Sequence, residues 1–256
     1  MSTITGLAYL NGKIYIVTSD SNRIAVFLLT TPFVRQQRET DIIVNGLIGP
    51  KDIVTCSACC CVADSKGVWK VIDEKGCSNS DYKPWLINNQ VISLSAIENR
   101  ILLTEHTKLH MYELSGKHLF EIQLLDENFT NAQHALEMAD HKTIIVCQFH
   151  AKNLQRLTKI DFSGKAQQDH TNTRVEDVVQ FVPRYAAYDD SSGALFVIDQ
   201  LNSRVLGFNE HLLPCGIVVK EDDNTFSRVC YIPKHRLLLV ANWYRQIKVY
   251  RISLPR

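Results

Sequence analysis

Three observations predict an all-β fold built from six repeats of one unit. A hairpin pattern, in which a polar turn with a basic residue separates two apolar strands, covers Ile14 to Phe27. The pattern returns at Leu195 to Phe208 and at Leu237 to Tyr250, and Arg23 of the first copy aligns with Arg204 of the second. Helical periodicity is absent over any useful length. Because repeats of roughly 40 to 50 residues are typical of propeller blades, the sequence predicts a six-bladed β-propeller.

Weaker copies of the hairpin lie between the clear ones, at Cys59 to Val71, Arg100 to Leu114 and Thr143 to Ile160. A short strand precedes each hairpin and an outer strand follows most of them, which gives four antiparallel strands per blade. One domain, residues 1–256, is predicted, with blades at about 6–47, 50–88, 90–125, 133–172, 183–220 and 226–253. The last blade has sequence for three strands, so we expect it to be incomplete or to be completed by another segment.

The composition is that of a globular protein with a large core. The chain has 256 residues, of which 45% are hydrophobic and 21% are charged. The formal net charge is +1, so a basic surface would have to come from local clustering. No apolar run approaches the roughly 20 residues that span a bilayer, and no secretory signal is visible. We therefore expect a cytoplasmic protein without membrane contact, whose eight cysteines are mostly reduced.

The repeated unit resembles the NHL repeat. The fifth unit matches that pattern best, at Pro183, Arg184, Val197, Asp199, Asn202, Arg204, Val205 and Phe208. The first unit has Thr18, and the sixth has Ala241, where the pattern has Asp. The resemblance covers essentially the whole chain, but its motifs are degenerate. It implies the fold more firmly than any one activity, because one fold hosts many functions.

The resemblance implies a binding function. NHL propellers form the C-terminal domain of tripartite-motif proteins, where they bind protein partners or single-stranded or hairpin RNA. The RING and B-box modules of those proteins do not occur in this sequence, so a ubiquitin-ligase activity would depend on further sequence.

One face of the predicted ring gathers basic and aromatic side chains. The turns inside the hairpins and the entries to the inner strands share this face, which we call the top face. The candidate binding residues there are Lys51, His134, Phe149, His150, Arg184, Arg204, Arg228, Trp243, Tyr244 and Arg245. Such a surface can anchor a protein through Trp, Tyr and Arg, or it can stack bases and contact phosphates. A protein partner is the leading prediction and RNA is the alternative, while any single arginine could instead pair with a turn carboxylate such as Asp199.

No catalytic constellation stands out in the sequence, and we predict no catalytic residue, metal or cofactor. A metal-dependent enzyme similar to propeller lactonases or lyases is the remaining alternative, because acids and histidines occur on or near the inner strands. These residues are Asp52, Glu137, Asp189 and Asp190, together with His106, His134 and His150. The acids do not fall at equivalent depths, as the six to eight oxygen ligands of a Ca²⁺ site would require.

The cysteine-rich stretch from Cys56 to Cys61 superficially resembles a zinc site. Successive residues of a strand face opposite ways, so adjacent cysteines are not expected to reach one ion. We expect these cysteines to be buried apolar thiols.

Overall fold

The computed structural model describes residues 3–29, 36–39, 41–56, 59–73, 76–77, 83–124, 131–148, 155–170, 181–222 and 226–253. Within these ranges the chain forms 25 strands and one short 3₁₀ helix, arranged in six antiparallel sheets. The predicted all-β, six-bladed propeller is thereby confirmed. Each sheet is one blade, and its strands run in chain order from the central channel to the rim.

In each of the first two blades, two short strands take the place of one outer strand. Blade one consists of β1 (Ile4–Leu10), β2 (Lys13–Thr18), β3 (Arg23–Leu29), β4 (Gln36–Arg38) and β5 (Ile42–Ile43). Blade two consists of β6 (Asp52–Cys56), β7 (Cys59–Ala63), β8 (Gly67–Asp73), β9 (Gly76–Cys77) and β10 (Leu86–Ile87). In each of these blades two short strands pair with the third strand, so four strand positions are filled.

The remaining blades are simpler. Blade three consists of β11 (Ser93–Ile97), β12 (Arg100–Thr104), β13 (Lys108–Glu113) and β14 (His118–Gln123). Blade four consists of β15 (Ala132–Glu137), β16 (Thr143–Gln148), β17 (Arg156–Asp161) and β18 (Ala166–His170). Blade five consists of β19 (Pro183–Asp189), β20 (Ala194–Asp199), β21 (Arg204–Phe208) and β22 (Pro214–Lys220). Blade six has β23 (Phe226–Ile232), the 3₁₀ helix Pro233–His235, β24 (Leu237–Asn242) and β25 (Ile247–Arg251).

Each interface between neighbouring blades has its own hydrophobic core, which gives six cores around the ring. The second strand of each blade contributes side chains to the cores on both sides of that blade, because successive side chains of a strand point in opposite directions. On β7, for example, Cys60 and Val62 pack toward blade one, whereas Cys59 and Cys61 pack toward blade three. All five residues of β7 are therefore buried. A strand that is covered on both faces can thus be apolar at every position, without the alternation of a half-exposed strand.

The ring closes by packing blade six directly against blade one. Ile4 and Leu7 of β1 share a core with Leu237 and Leu239 of β24. The closed ring buries both faces of every blade and fixes the inner strands around a narrow channel.

Candidate binding face and central channel

The acidic residue at the start of a hairpin turn ties that turn to the linker from the preceding blade. In blade two, Asp64 Oδ1 accepts a hydrogen bond from the Gly67 amide at 3.0 Å, and its Oδ2 accepts one from the Ile48 amide of the linker at 2.9 Å. In blade five, Asp199 Oδ1 accepts a hydrogen bond from the Val182 amide of the linker at 3.0 Å. The aspartate of the repeat therefore orders the top face.

Arg204 is not a surface cation, and its placement among the top-face binding residues is wrong. Its side chain is 1% exposed, and its Nε lies 2.8 Å from Asp199 Oδ2. Arg23 begins the third strand of blade one, as Arg204 does in blade five, yet Arg23 is exposed. Arg204 is buried and Arg23 is exposed because only Arg204 has an acidic partner: blade one has Thr18 where blade five has Asp199. Arg204 therefore stabilises a turn and is not available to a ligand.

Asp52 occupies the top of the central channel and is fully buried. Its Oδ2 accepts a hydrogen bond from the Leu94 amide at 2.8 Å, and Tyr185 Oη donates to both carboxylate oxygens at 3.2 and 3.1 Å. Arg228 Nε lies 3.5 Å from Oδ1. Burial raises the pKa of Asp52 to about 6, against the attraction of Arg228 and the hydrogen bonds. The four residues belong to inner strands of blades two, three, five and six, so they link the ring across its centre.

His134 belongs to the same channel cluster, so its expected role as an exposed binding residue is also corrected. Its ring stacks on Tyr185 with centroids 3.7 Å apart, and its Nδ1 lies 3.1 Å from Ser93 Oγ. Burial and, second to it, the positive charge of Arg228 lower the pKa of His134 to about 3. His134 is therefore a neutral, buried ring at neutral pH. We call Asp52, Ser93, His134, Tyr185 and Arg228 the channel cluster.

Arg228 and Lys51 are half-buried and bind backbone carbonyl groups near the channel. Arg228 Nη1 donates to the Ser227 carbonyl at 2.8 Å and its Nη2 donates to the Lys51 carbonyl at 2.9 Å. The Arg228 guanidinium also lies 4.7 Å from the centroid of the Tyr185 ring. Lys51 Nζ donates to the Val91 carbonyl at 2.9 Å, and burial lowers the pKa of Lys51. Lys51 therefore connects two neighbouring linkers, and Arg228 connects blade six to the linker before blade two.

Four other predicted residues form a strip along the top face. The Arg184 guanidinium lies 6.0 Å from the centroid of the Trp243 ring, and Tyr244 is 64% exposed beside it in the sequence. Arg245 Nη2 lies 3.5 Å from Asp20 Oδ2 in the turn of blade one. The strip connects blades five, six and one. The two other predicted residues, Phe149 and His150, lie outside the residues that the structure describes.

Apart from Tyr244, the sequence reasoning missed the large exposed hydrophobic side chains of the top face. Large hydrophobic side chains that are more than half exposed occur there at Ile43, Ile48, Ile87, Leu201 and Tyr244. In the described part of the chain the remaining one is Leu213, which lies on the opposite face between β21 and β22. An apolar residue in a turn that is otherwise polar, such as Leu201 between Asp199 and Arg204, is the feature that would have revealed them.

Below the channel cluster, the channel opens into a cavity of about 220 Å³ lined by all six inner strands. His134 and Tyr185 line the end of the cavity that meets the cluster. At the other end, Glu137 is the last residue of β15 and Asp190 directly follows β19. Asp52 and Glu137 are therefore at opposite ends of the channel. In the described ranges no group of three acids or histidines converges as a metal site would require. His106 lies exposed in the turn of blade three, whereas His134 is buried.

Comparisons with known proteins support the architecture. No protein-family model matches the chain, and no curated protein matches it in sequence. Among solved structures, a chain of hydrazine synthase from Kuenenia stuttgartiensis is similar, with a TM-score of 0.65 and 14% sequence identity. The match covers 98% of this chain and 84% of that chain. At this identity the likeness concerns the fold alone, and the NHL resemblance stays a prediction.

No helix in the described ranges is long and apolar enough to cross a membrane.

Proposed function

We propose that this protein is a non-catalytic binding scaffold whose top face binds a protein partner. The observation that carries the proposal is the distribution of exposed apolar side chains, because five of the six large ones in the described residues lie on that face. Exposed apolar surface with a polar rim is typical of protein interaction sites. Loops on a rigid scaffold are also the usual location of binding residues.

The exposed apolar residues belong to consecutive blades. Leu201 lies in blade five, Tyr244 in blade six, Ile43 in blade one, and Ile87 in blade two. Ile48 lies in the linker between blades one and two. Since blades six and one are neighbours in the closed ring, these residues are spread over four consecutive blades of the top face, and we call this set of residues the apolar arc.

The pairing of predicted cations with carboxylates favours a protein over RNA as the ligand of the top face. Three of the predicted cations lie beside carboxylates: Arg204 beside Asp199, Arg228 beside Asp52, and Arg245 beside Asp20. An ion pair reduces the positive potential that phosphates would meet. A partner that offers apolar side chains and hydrogen-bonding groups matches this surface better than a phosphate backbone does.

A capture experiment with the full chain as bait tests the proposal. Nuclease-treated cell lysate should still yield a protein partner, and capture should persist between about 50 and about 200 mM salt, where phosphate-dominated binding weakens steeply. The double variant Leu201→Asp with Tyr244→Ala should reduce the captured amount about tenfold or more, since truncated anchor residues dominate interface energetics.

The matched control is Leu213→Asp, which changes an equally exposed leucine on the opposite face and should leave capture unchanged. Capture that disappears on nuclease treatment would show that RNA is the ligand. Capture that is lost equally with Leu213→Asp would contradict the role of the top face.

A further inference from the structure

Three thiols converge at the interface between blades two and three. The Sγ atoms of Cys56, Cys59 and Cys61 all lie within 4.8 Å of one another, and those of Cys56 and Cys59 are 3.6 Å apart. All three residues are buried. The expectation from the sequence covers only adjacent cysteines of one strand, and it does not consider Cys56, Cys59 and Cys61 together.

Strand pairing explains the convergence. Cys56 and Cys59 are the last cross-strand pair of the hairpin formed by β6 and β7, so their side chains share one face of the blade. Cys61 lies two residues after Cys59 and returns to that face, whereas Cys60 points to the core shared with blade one. Alternation along the strand therefore excludes Cys60 and brings the other three together.

The spacing suits metal coordination. Two thiolates bound to one ion at about 2.3 Å in tetrahedral geometry lie about 3.8 Å apart. The observed separation of 3.6 Å between Cys56 Sγ and Cys59 Sγ is close to that value, and Cys61 Sγ is within reach. Only small rotations of side chains that already face one another would be needed.

The three thiols lie in an apolar core beside one basic side chain, Lys70. The neighbouring core is otherwise apolar, with residues such as Leu94 and Leu103. Lys70 is the cross-strand partner of Cys61, so its side chain lies on the same face of the blade, where its ammonium group donates to the Leu114 carbonyl at 2.8 Å.

We propose that Cys56, Cys59 and Cys61 form a binding site for one thiophilic d¹⁰ metal ion, Cu⁺ or Zn²⁺. Thiolate ligands select these ions over harder ones. On binding, each thiol releases its proton to solvent and forms one metal–sulfur bond, and neither the metal nor sulfur changes oxidation state. Among the described residues no fourth Cys, His, Asp or Glu joins the group. Cu⁺ is satisfied by three thiolates, whereas Zn²⁺ would complete its tetrahedron with water.

The test uses reduced, metal-free full-length protein under anaerobic conditions, with Cu⁺ and Zn²⁺ supplied separately against a competing chelator. At least one ion should remain bound at one equivalent per chain after gel filtration, and retention should fall as the pH is lowered because protons compete for the thiolates. Cys56→Ser, Cys59→Ser and Cys61→Ser should each weaken retention by about tenfold or more, because even the loss of a group that only orients a metal ligand weakens binding by about that factor.

The control is Cys60→Ser, which removes a buried thiol from the same strand but from the opposite face. It should retain the metal. Circular dichroism and the thermal midpoint of each metal-free variant separate loss of binding from loss of folding. The ion that is retained, Cu⁺ or Zn²⁺, is identified as the metal of the site, and retention of either ion supports the proposal. Retention below one tenth of an equivalent for both ions, or equal losses with Cys60→Ser and Cys59→Ser, would overturn the proposal. Retention that is unaffected by Cys61→Ser would overturn the three-thiol site.

Discussion

Replacing Arg204 with methionine is expected to lower the free energy of unfolding by about 3–5 kcal/mol, the cost of breaking a buried ion pair by removing one partner. The substitution keeps much of the side-chain volume and removes the charge. Asp199 would remain fully buried without the guanidinium, whose Nε now lies 2.8 Å from its carboxylate. Its remaining hydrogen bonds, from the Val182 amide and the Asn202 side chain, place the expected cost toward the lower end of that range. Urea denaturation followed by tryptophan fluorescence measures the change.

Arg23→Met is the matched control for this prediction, because Arg23 begins the corresponding strand of blade one but is exposed. An exposed substitution of this kind should change the free energy of unfolding by no more than about 0.5 kcal/mol. Similar effects at the two positions would show that the ion pair with Asp199 is not the source of stability at Arg204.

Replacing His134 with phenylalanine is expected to change how stability depends on pH. In the native state the pKa of His134 is about 3, whereas its ordinary value is 6.5. Below pH 6.5 the His134 side chain is therefore protonated in the unfolded chain but stays neutral in the folded protein. The stability that His134 contributes is present above pH 6.5 and is lost as the pH falls toward 3. Between pH 7 and pH 4 this loss amounts to about 3 kcal/mol. His134→Phe keeps a ring against Tyr185 and should remove the loss, which denaturation at a series of pH values would detect.

Asp52 has the opposite effect on how stability depends on pH, so it can be compared with His134 in the same protein. Its pKa is about 6 in the folded protein and 3.8 ordinarily, so the folded state binds the proton more tightly. Its contribution is fully present below pH 3.8 and is lost as the pH rises through 6, a change of about 2 kcal/mol between pH 4 and pH 7. The two contributions nearly cancel in the unmodified protein. Asp52→Asn should therefore make the protein more sensitive to acid, whereas His134→Phe should make it less sensitive. Changes of the same sign in both variants would contradict this account of the channel cluster.

The propeller could be predicted from the sequence because its evidence is local. Each hairpin, such as Ile14 to Phe27, shows two apolar strands and a polar turn within a short window, and six copies imply a ring. The continuous burial of β7 was predictable for the same reason, since a strand between two blades has no solvent-facing side.

The site was harder to predict because it depends on contacts between distant segments. Arg23 and Arg204 occupy the same repeat position, and only the presence of Asp199 or Thr18 decides which of them is buried. His134 stands at the entry to an inner strand, where β15 and β16 shift register, and its side chain enters the channel. The alternation rule was applied to Cys59–Cys61 within one strand, but the pairing of Cys56 with Cys59 across two strands brings the thiols together.

The most direct test of the central claim, that the top face binds a protein partner, is hydrogen–deuterium exchange of the full chain with and without the captured partner. The account predicts slower exchange in the complex around Ile48, Ile87, Leu201 and Tyr244. It predicts unchanged exchange around Leu213, on the opposite face. Protection confined to the region of Leu213, or to the outer strands away from the apolar arc, would contradict the claim.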